Sequence, residues 1–306
     1  MESFALIPSK GLGDLIVTIG IAYNLSKTYK VTIFHPLISQ LASLFPFVQA
    51  LDRPCNTQDF DPSKFDFCLL IYEDSPFFDT FHPFLKQAFG NRLFTLNPVV
   101  TKKADYRFCD EYFFDSSKSF SSNLNIFANK TLKLDCEDKK GGFKHTSLKD
   151  PRLVVMHVTA SKLSKSWPSS RFKRLKKNLE KKGYTVIFAT LPHEQYAIGQ
   201  GLYSGLKNLK ELAETLEKAS LLIANESGVA HLASYLHTPS IVLCRNQRIQ
   251  KFWGADYEGI CHPLFPSTLI PNLKGMRFRD KYWKYCIFTH RVKKQALELL
   301  TKKPLV

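Results

Sequence analysis

The sequence predicts an α/β protein made of two similar parallel-sheet halves. Three observations carry that reading. Short apolar runs of strand length alternate with longer helical segments through most of the chain, the pattern of strands joined by crossover helices. A polar stretch from Asp135 to Arg152 interrupts the alternation near the middle. On each side of it, an apolar run leads into a polar turn and then a helix, so the halves share one plan. Two such domains facing each other leave a cleft, and ligands of these sheets bind at the carboxyl ends of the strands.

In the first half, Ser3 to Pro8 is a short apolar strand and Lys10 to Asp14 a turn. Leu15 to Ser26 is an amphipathic helix with Ile16, Ile19, Ile21, Ala22 and Leu25 on its apolar side. Lys30 to His35 is a second strand, Pro36 to Leu44 a short helix and Phe65 to Tyr72 a strongly apolar strand. Phe78 to Phe89 reads as helix and Arg92 to Leu96 as strand. The stretch from Asp135 to Arg152, with Gly141-Gly142 and the run from Lys144 to Pro151, is the linker. The second half opens on a strand, Leu153 to Val158, then a basic helix, Ser169 to Lys182, closed by Gly183. Strands follow at Tyr184 to Leu191, Leu221 to Ala224 and Ser240 to Leu243, with helices at Leu209 to Ala219, Gly228 to Leu236 and Arg291 to Lys302.

Composition narrows the function. A hydrophobic content of 44% across 306 residues supports a sizeable core, and the 25 phenylalanines must contribute to it. The formal net charge of +16 points to an acidic partner: nucleic acid, an anionic membrane surface or a phosphorylated substrate. A generally basic surface is the plainer alternative. The seven cysteines are scattered, odd in number and without a CxxC pair. They read as buried reduced thiols of a cytosolic protein rather than a zinc site or a disulfide framework. No signal peptide follows Met1, and no apolar run approaches the ~20 residues that span a bilayer.

Three segments carry the chemistry. Gly11-Leu12-Gly13-Asp14 follows the first strand. Its glycines allow a tight turn and a close ligand, but no third glycine completes a dinucleotide fingerprint. Asp14 is either a helix cap or a carboxylate that takes a proton from an attacking hydroxyl. The segment from His157 to Pro168 offers hydroxyls at Thr159, Ser161 and Ser164, and charges at Lys162 and Lys165 that suit a diphosphate. Alone it could be a solvated loop whose Trp167 merely packs. Asn225-Glu226-Ser227-Gly228-Val229-Ala230-His231 reads as strand end, polar turn and helix start, a place where backbone N–H groups face an anion. Ser227 could instead be an ordinary cap, His231 a core histidine, and Glu226 a ribose partner or a brace of the turn.

Together the segments resemble family 9 of the GT-B glycosyltransferases, which contains the lipopolysaccharide heptosyltransferases. The resemblance lies in Gly13-Asp14 after the first strand, Lys165-Ser166-Trp167-Pro168, Leu191-Pro192 with Glu194, and the Leu209 to Ala219 helix leading into Asn225 to Ala233, with Pro239 closing. It covers most of the second half and only the opening of the first. It implies a GT-B fold: α/β, two Rossmann-like domains with parallel sheets facing a central cleft. Residues 1–148 would be the acceptor side, 149–288 the nucleotide-sugar domain, and 289–306 a helix packing back toward the first domain.

The resemblance also implies an inverting, metal-independent transfer with no cofactor. The donor is a nucleotide sugar, ADP-heptose first. The acceptor is a lipopolysaccharide core or another anionic glycolipid, with no nucleic acid. Location is cytoplasmic, with peripheral contact at the inner-membrane face an open option. Asp14 becomes the catalytic base beside Gly13. Lys165 and Thr159 would hold donor phosphate with Ser161, Glu194 would face the nucleoside, and Lys207 would pack near the nucleobase. Ser227, Gly228 and His231 would cradle the diphosphate, and Glu226 would meet the ribose or sugar. Glu226 departs from the family's usual aspartate, and Cys244 to Arg248 replaces a glycine-bearing turn. Those departures keep a second function class alive: a GT-B protein that binds a nucleotide or polyanion without transfer.

Overall fold

The computed structural model describes residues 1–71, 73–96, 115, 117–136, 142, 148–160, 163–194, 205–254, 260–270, 272 and 278–301. The chain forms two compact units, Met1–Phe143 and Lys144–Val306.

The first unit is a five-stranded parallel sheet. Its strands are β1 (Ser3–Ile7), β2 (Lys30–Phe34), β3 (Gln49–Leu51), β4 (Phe67–Ile71) and β5 (Leu93–Leu96), in the order β3-β2-β1-β4-β5. Strand β1 is central, and Phe4, Ala5, Leu6 and Ile7 are fully buried. Burial on both faces explains why its sequence is a continuous apolar run rather than an alternation. Three helices are described: α1 (Leu12–Ser26), α2 (Pro76–Phe89) and α3 (Phe120–Thr131). Helix α1 is buried almost all round because α3 packs on the side turned away from the sheet. Thr18 and Asn24 survive there by bonding back to the Asp14 and Gly20 carbonyls. Helix α2 buries Phe78, Phe81, Leu85 and Phe89. Phe60 meets Phe34, Phe65 and Phe81 with ring centroids 5.1–5.7 Å apart, which accounts for part of the phenylalanine surplus.

The second unit repeats the plan. Strands β6 (Asp150–His157), β7 (Thr185–Phe188), β8 (Ala219–Asn225), β9 (Ser240–Leu243) and β10 (Cys261–Leu264) pair in parallel in the order β10-β9-β8-β6-β7. The described helices are α4 (Ser169–Glu180), α5 (Leu209–Lys218), α6 (Gly228–Tyr235), α7 (Gln247–Trp253), α8 (Phe278–Lys281) and α9 (Thr289–Thr301). Helix α9 packs on α4, β8 and β9, burying Val292 and Ala296 in the core of this unit. Both sheets reverse strand order at their centre, between β1 and β4 and between β6 and β8. These are the switch points where a crevice opens at the strand ends.

Several sequence expectations need correction. The predicted helix from Pro36 to Leu44 is a 3-10 helix, Ile38–Leu44. Strand β6 starts at Asp150, inside the expected linker, and most of that linker lies outside the described residues. The turn expected at Cys244 to Arg248 instead begins α7, which Asn246 caps through a 2.9 Å bond from the Ile249 N–H. Elements β3, β10 and α3 had no assignment from sequence. The first two are short edge strands, and α3 has a serine- and asparagine-rich sequence that masks the helical spacing of Phe120, Leu124, Phe127 and Ala128.

Candidate active site and donor pocket

In the first unit the ends of β1, β2, β3 and β4 gather polar side chains. Gly11, not Asp14, holds the cap position of α1, with no side-chain cap bond. Asp14 stands in the first turn, so the cap alternative fails. Its carboxylate accepts from the Gly11 and Asp14 N–H groups. A Cβ at Gly11 would strike Asp14 Oδ2, so a side chain there would push the carboxylate out of this position. Burial, then the charge of Glu73, raise the Asp14 carboxyl to about 6, although those two N–H bonds pull it down. Glu73 follows β4 and lies 3.8 Å from the Arg53 guanidinium. Arg53 in turn sits 4.2 Å from the Phe77 ring centroid. His35 is fully buried after β2. It accepts the Leu37 N–H at Nδ1 (3.1 Å), so its Nε2–H donates to the Ser9 carbonyl (3.0 Å). Burial lowers it to about 4, so it is neutral at pH 7. Sequence reasoning missed His35, Arg53 and Glu73. His35 and Glu73 come one or two residues beyond apolar strands, but Arg53 follows β3, which the sequence did not announce, and the meeting of Arg53 with Glu73 depends on the sheet.

In the second unit the ends of β6, β7 and β8 converge. His157, which the sequence reading passed over, is the hub. Its Nδ1 lies 3.3 Å from the Ser227 hydroxyl. Its Nε2 lies 3.2 Å from Glu194 Oε1 and 3.0 Å from the Thr159 hydroxyl. Thr159 also donates to Glu194 Oε1, and the Leu191 N–H donates to Glu194 Oε2 at 2.8 Å. Burial opposes ionisation of Glu194, but these bonds and the His157 imidazole outweigh it and hold the carboxyl at about 2. Asn225 fastens the adjoining loops. Its amide donates to the Val158 and Thr159 carbonyls at 2.8 and 3.3 Å, and its oxygen accepts the Trp167 N–H at 2.8 Å. Trp167 is buried, packs edge-on to Phe172 and donates its indole N–H to the Ile287 carbonyl.

A small pocket, partly open to solvent, adjoins this network. Glu226, Ser227 and His231 line it with Gln250, Trp253 and the Cys244 thiol. Glu226 Oε1 and His231 Nδ1 are both buried and have no hydrogen-bond partner among the described residues. Unpaired buried polar atoms are costly, so two in one pocket mark a place built for a polar guest. Burial lowers His231 to about 4, against a bond to the Trp253 backbone that raises it, so the ring is neutral at pH 7. Burial raises the Glu226 carboxyl, and the charge of Lys165 opposes that rise. Lys165 is exposed at the end of a 3-10 turn, Leu163–Lys165. Ser227 occupies the cap position of α6 without capping it, so its hydroxyl is not spent on the first-turn N–H groups that begin at Gly228.

The structure thus brings Thr159, Glu194 and Ser227 together through His157, and Glu226, Ser227 and His231 around one pocket. Lys207 is exposed beside the Asn208 cap of α5, outside that network, and its N–H bonds to Glu211. Ser161 lies outside the described residues. Asp14 and Gly13 belong to the first unit. Among the described residues no group of three or more His, Cys, Asp or Glu side chains could hold a metal ion. Among them, too, no helix is long and apolar enough to cross a membrane.

Comparison with known proteins matches this architecture. The model of "glycosyltransferase family 9 (heptosyltransferase)" fits residues 110–261. Lipopolysaccharide heptosyltransferase 3 of Escherichia coli is 28% identical over 128 residues, a match covering 34% of this chain and only 37% of that relative's length. Two solved E. coli structures share the fold at low identity. ADP-heptose lipopolysaccharide heptosyltransferase II superposes with a TM-score of 0.70, at 14% identity, over 97% of this chain and 98% of its own. The heptosyltransferase WaaC with ADP superposes with a TM-score of 0.67, at 12% identity, over 97% and 99%. The chain carries a glycosyltransferase family 9 sequence over residues 110–261 and has the GT-B fold of that family's heptosyltransferases.

Proposed function

We propose that the protein is an inverting glycosyltransferase. It moves a sugar, with ADP-heptose as the first-choice donor, to a hydroxyl of a lipopolysaccharide core or a similar anionic glycan. The observation that carries this reading is the pocket at the end of β8. It pairs two buried polar atoms without partners among the described residues, Glu226 Oε1 and His231 Nδ1, with an uncapped helix start and a nearby lysine. A sugar hydroxyl can donate to Glu226, and another can donate to the His231 lone pair. A diphosphate suits the α6 N–H groups and the Lys165 ammonium. The names of the E. coli relatives support ADP as the nucleotide and a lipopolysaccharide acceptor.

In this reading the acceptor oxygen bonds to the anomeric carbon on the face opposite the diphosphate. The anomeric C–O bond breaks, its electron pair leaves with the diphosphate, and Asp14 takes the hydroxyl proton. One displacement inverts the centre. Lys165, Ser161, Ser227 and the α6 amides stabilise the charge that builds on the leaving group, with no metal required. Thr159 exchanges its bond to Glu194 for one to phosphate, Glu194 turns to the nucleoside, and Lys207 packs near the base. The protein would work in the cytoplasm on an acceptor presented at the inner membrane.

A thermal-shift panel of ADP-, UDP- and GDP-linked sugars tests the donor site. ADP-heptose should give the largest rise in Tm, the rise should persist with excess EDTA, and Lys165→Ala should shrink it. No rise with any nucleotide sugar rejects the donor site, and a rise abolished by EDTA rejects the metal-free arrangement.

A further inference from the structure

Phe278 (50% exposed), Tyr282 (42%) and Tyr285 (49%) follow one another at intervals of four and three along residues 278–285. Leu269, 88% exposed, projects from a neighbouring turn that is tied to the same segment, where the Ser267 N–H donates to the Cys286 carbonyl at 2.9 Å. Single exposed apolar residues are ordinary, but such a group on one short stretch is not.

The segment is firmly based. Trp283, Cys286 and Ile287 are buried beneath it. Arg171 of α4 donates to the Tyr285 and Ile287 carbonyls at 2.9 and 2.6 Å. The rings therefore stand on a packed floor, and their exposure is not that of a loose loop. Interleaved with them are Arg279, Lys281 and Lys284, against the single acid Asp280. Lys281 lies over the Tyr282 ring at 5.3 Å, Lys284 over the Tyr285 ring at 5.5 Å, and Phe278 stacks on Tyr282 at 6.3 Å.

We propose that this surface, Leu269 with residues 278–285, docks the protein on an anionic phospholipid bilayer. Aromatic rings with an apolar body and a polar tip settle at headgroup depth, and neighbouring lysines reach lipid phosphates. Leu269 supplies the apolar wedge. The cations complement the negative surface, as the net charge of +16 does over a longer range. Single-stranded nucleic acid needs open ring faces for base stacking. Here cations and a neighbouring ring lie over those faces, which favours lipid. The proposal does not depend on the donor site, because docking is measured without any nucleotide sugar.

Cosedimentation of the full chain with vesicles is the test. The protein should sediment with phosphatidylglycerol-containing vesicles, stay in the supernatant with pure phosphatidylcholine, and be released by high salt. Lys281→Glu/Lys284→Glu and Tyr282→Ser/Tyr285→Ser should each weaken binding by roughly tenfold or more, with Tm unchanged. Leu269→Ser is a further variant that the fold should tolerate, and it should also weaken binding. The proposal is overturned by failure to bind phosphatidylglycerol, by equal binding to phosphatidylcholine, or by wild-type binding of Leu269→Ser. Tighter binding to a single-stranded oligonucleotide, lost in the same variants, overturns it as well.

Discussion

Asp14 combines two roles that pull in opposite directions. Burial and Glu73 raise its carboxyl to about 6, so the folded chain binds its proton more tightly than the unfolded chain does. The group therefore costs nothing at pH below its unfolded value of 3.8. It costs progressively more as pH rises toward 6, and its full penalty stands above that. Asp14→Asn should stabilise the first unit by about 1–3 kcal/mol at pH 7. The gain should vanish near pH 4, as read from urea unfolding at the two values. A merely structural carboxylate, better solvated when folded, would show the reverse. This residue was legible in the sequence because Gly13-Asp14 directly follows an apolar strand. Its partners were not, since Arg53 and Glu73 meet only when β3 and β4 lie in one sheet. Glu194 shows the complementary failure. Its type and position were readable, but not that His157 and Thr159 would occupy it.

At the scale of elements, Asn225 does the most for the donor side. One amide holds β8 against the segment after β6 and the Trp167 turn. Asn225→Ala leaves the buried Trp167 N–H and Val158 carbonyl without partners. That should cost about 2–4 kcal/mol of stability and weaken nucleotide-sugar binding, both measurable by melting with and without donor. A loss of stability with donor affinity intact would deny that the latch shapes the site. The strong strands and the helices that directly follow them could be read because apolar runs and glycine or asparagine boundaries are local signals. Helix α3 was passed over although Phe120, Leu124, Phe127 and Ala128 fall at helical spacing, because the serines and asparagines between them read as loop. Helix α7 was hidden by its charges: Arg245 and Arg248 suggested a loop, while Asn246 was capping a helix.

For the whole molecule, acid is the informative variable. His35 and His231 are both held at about 4 by burial, below their ordinary value of 6.5. Their contribution is intact above 6.5 and is lost as pH falls toward 4, because the unfolded chain takes up the protons first. By pH 5 each should cost about 2 kcal/mol, while relief at Asp14 returns about 1 kcal/mol and Glu226, also raised, adds a little in the same sense. Urea unfolding should therefore show a net loss of about 2–3 kcal/mol between pH 7 and pH 5. Unchanged stability over that interval would mean that the two imidazoles are not buried as described.

Acceptor-dependent sugar transfer with Asp14 as the base is tested by nucleotide release from ADP-heptose by wild type and Asp14→Asn in the presence of a lipopolysaccharide core acceptor. Release by the wild type should fall as pH drops below about 6. Asp14→Asn should lose about 10²–10⁴-fold in rate with the donor-induced rise in Tm retained. Release by Asp14→Asn at the wild-type rate, or a wild type that binds donor and never releases nucleotide to any acceptor, would contradict it.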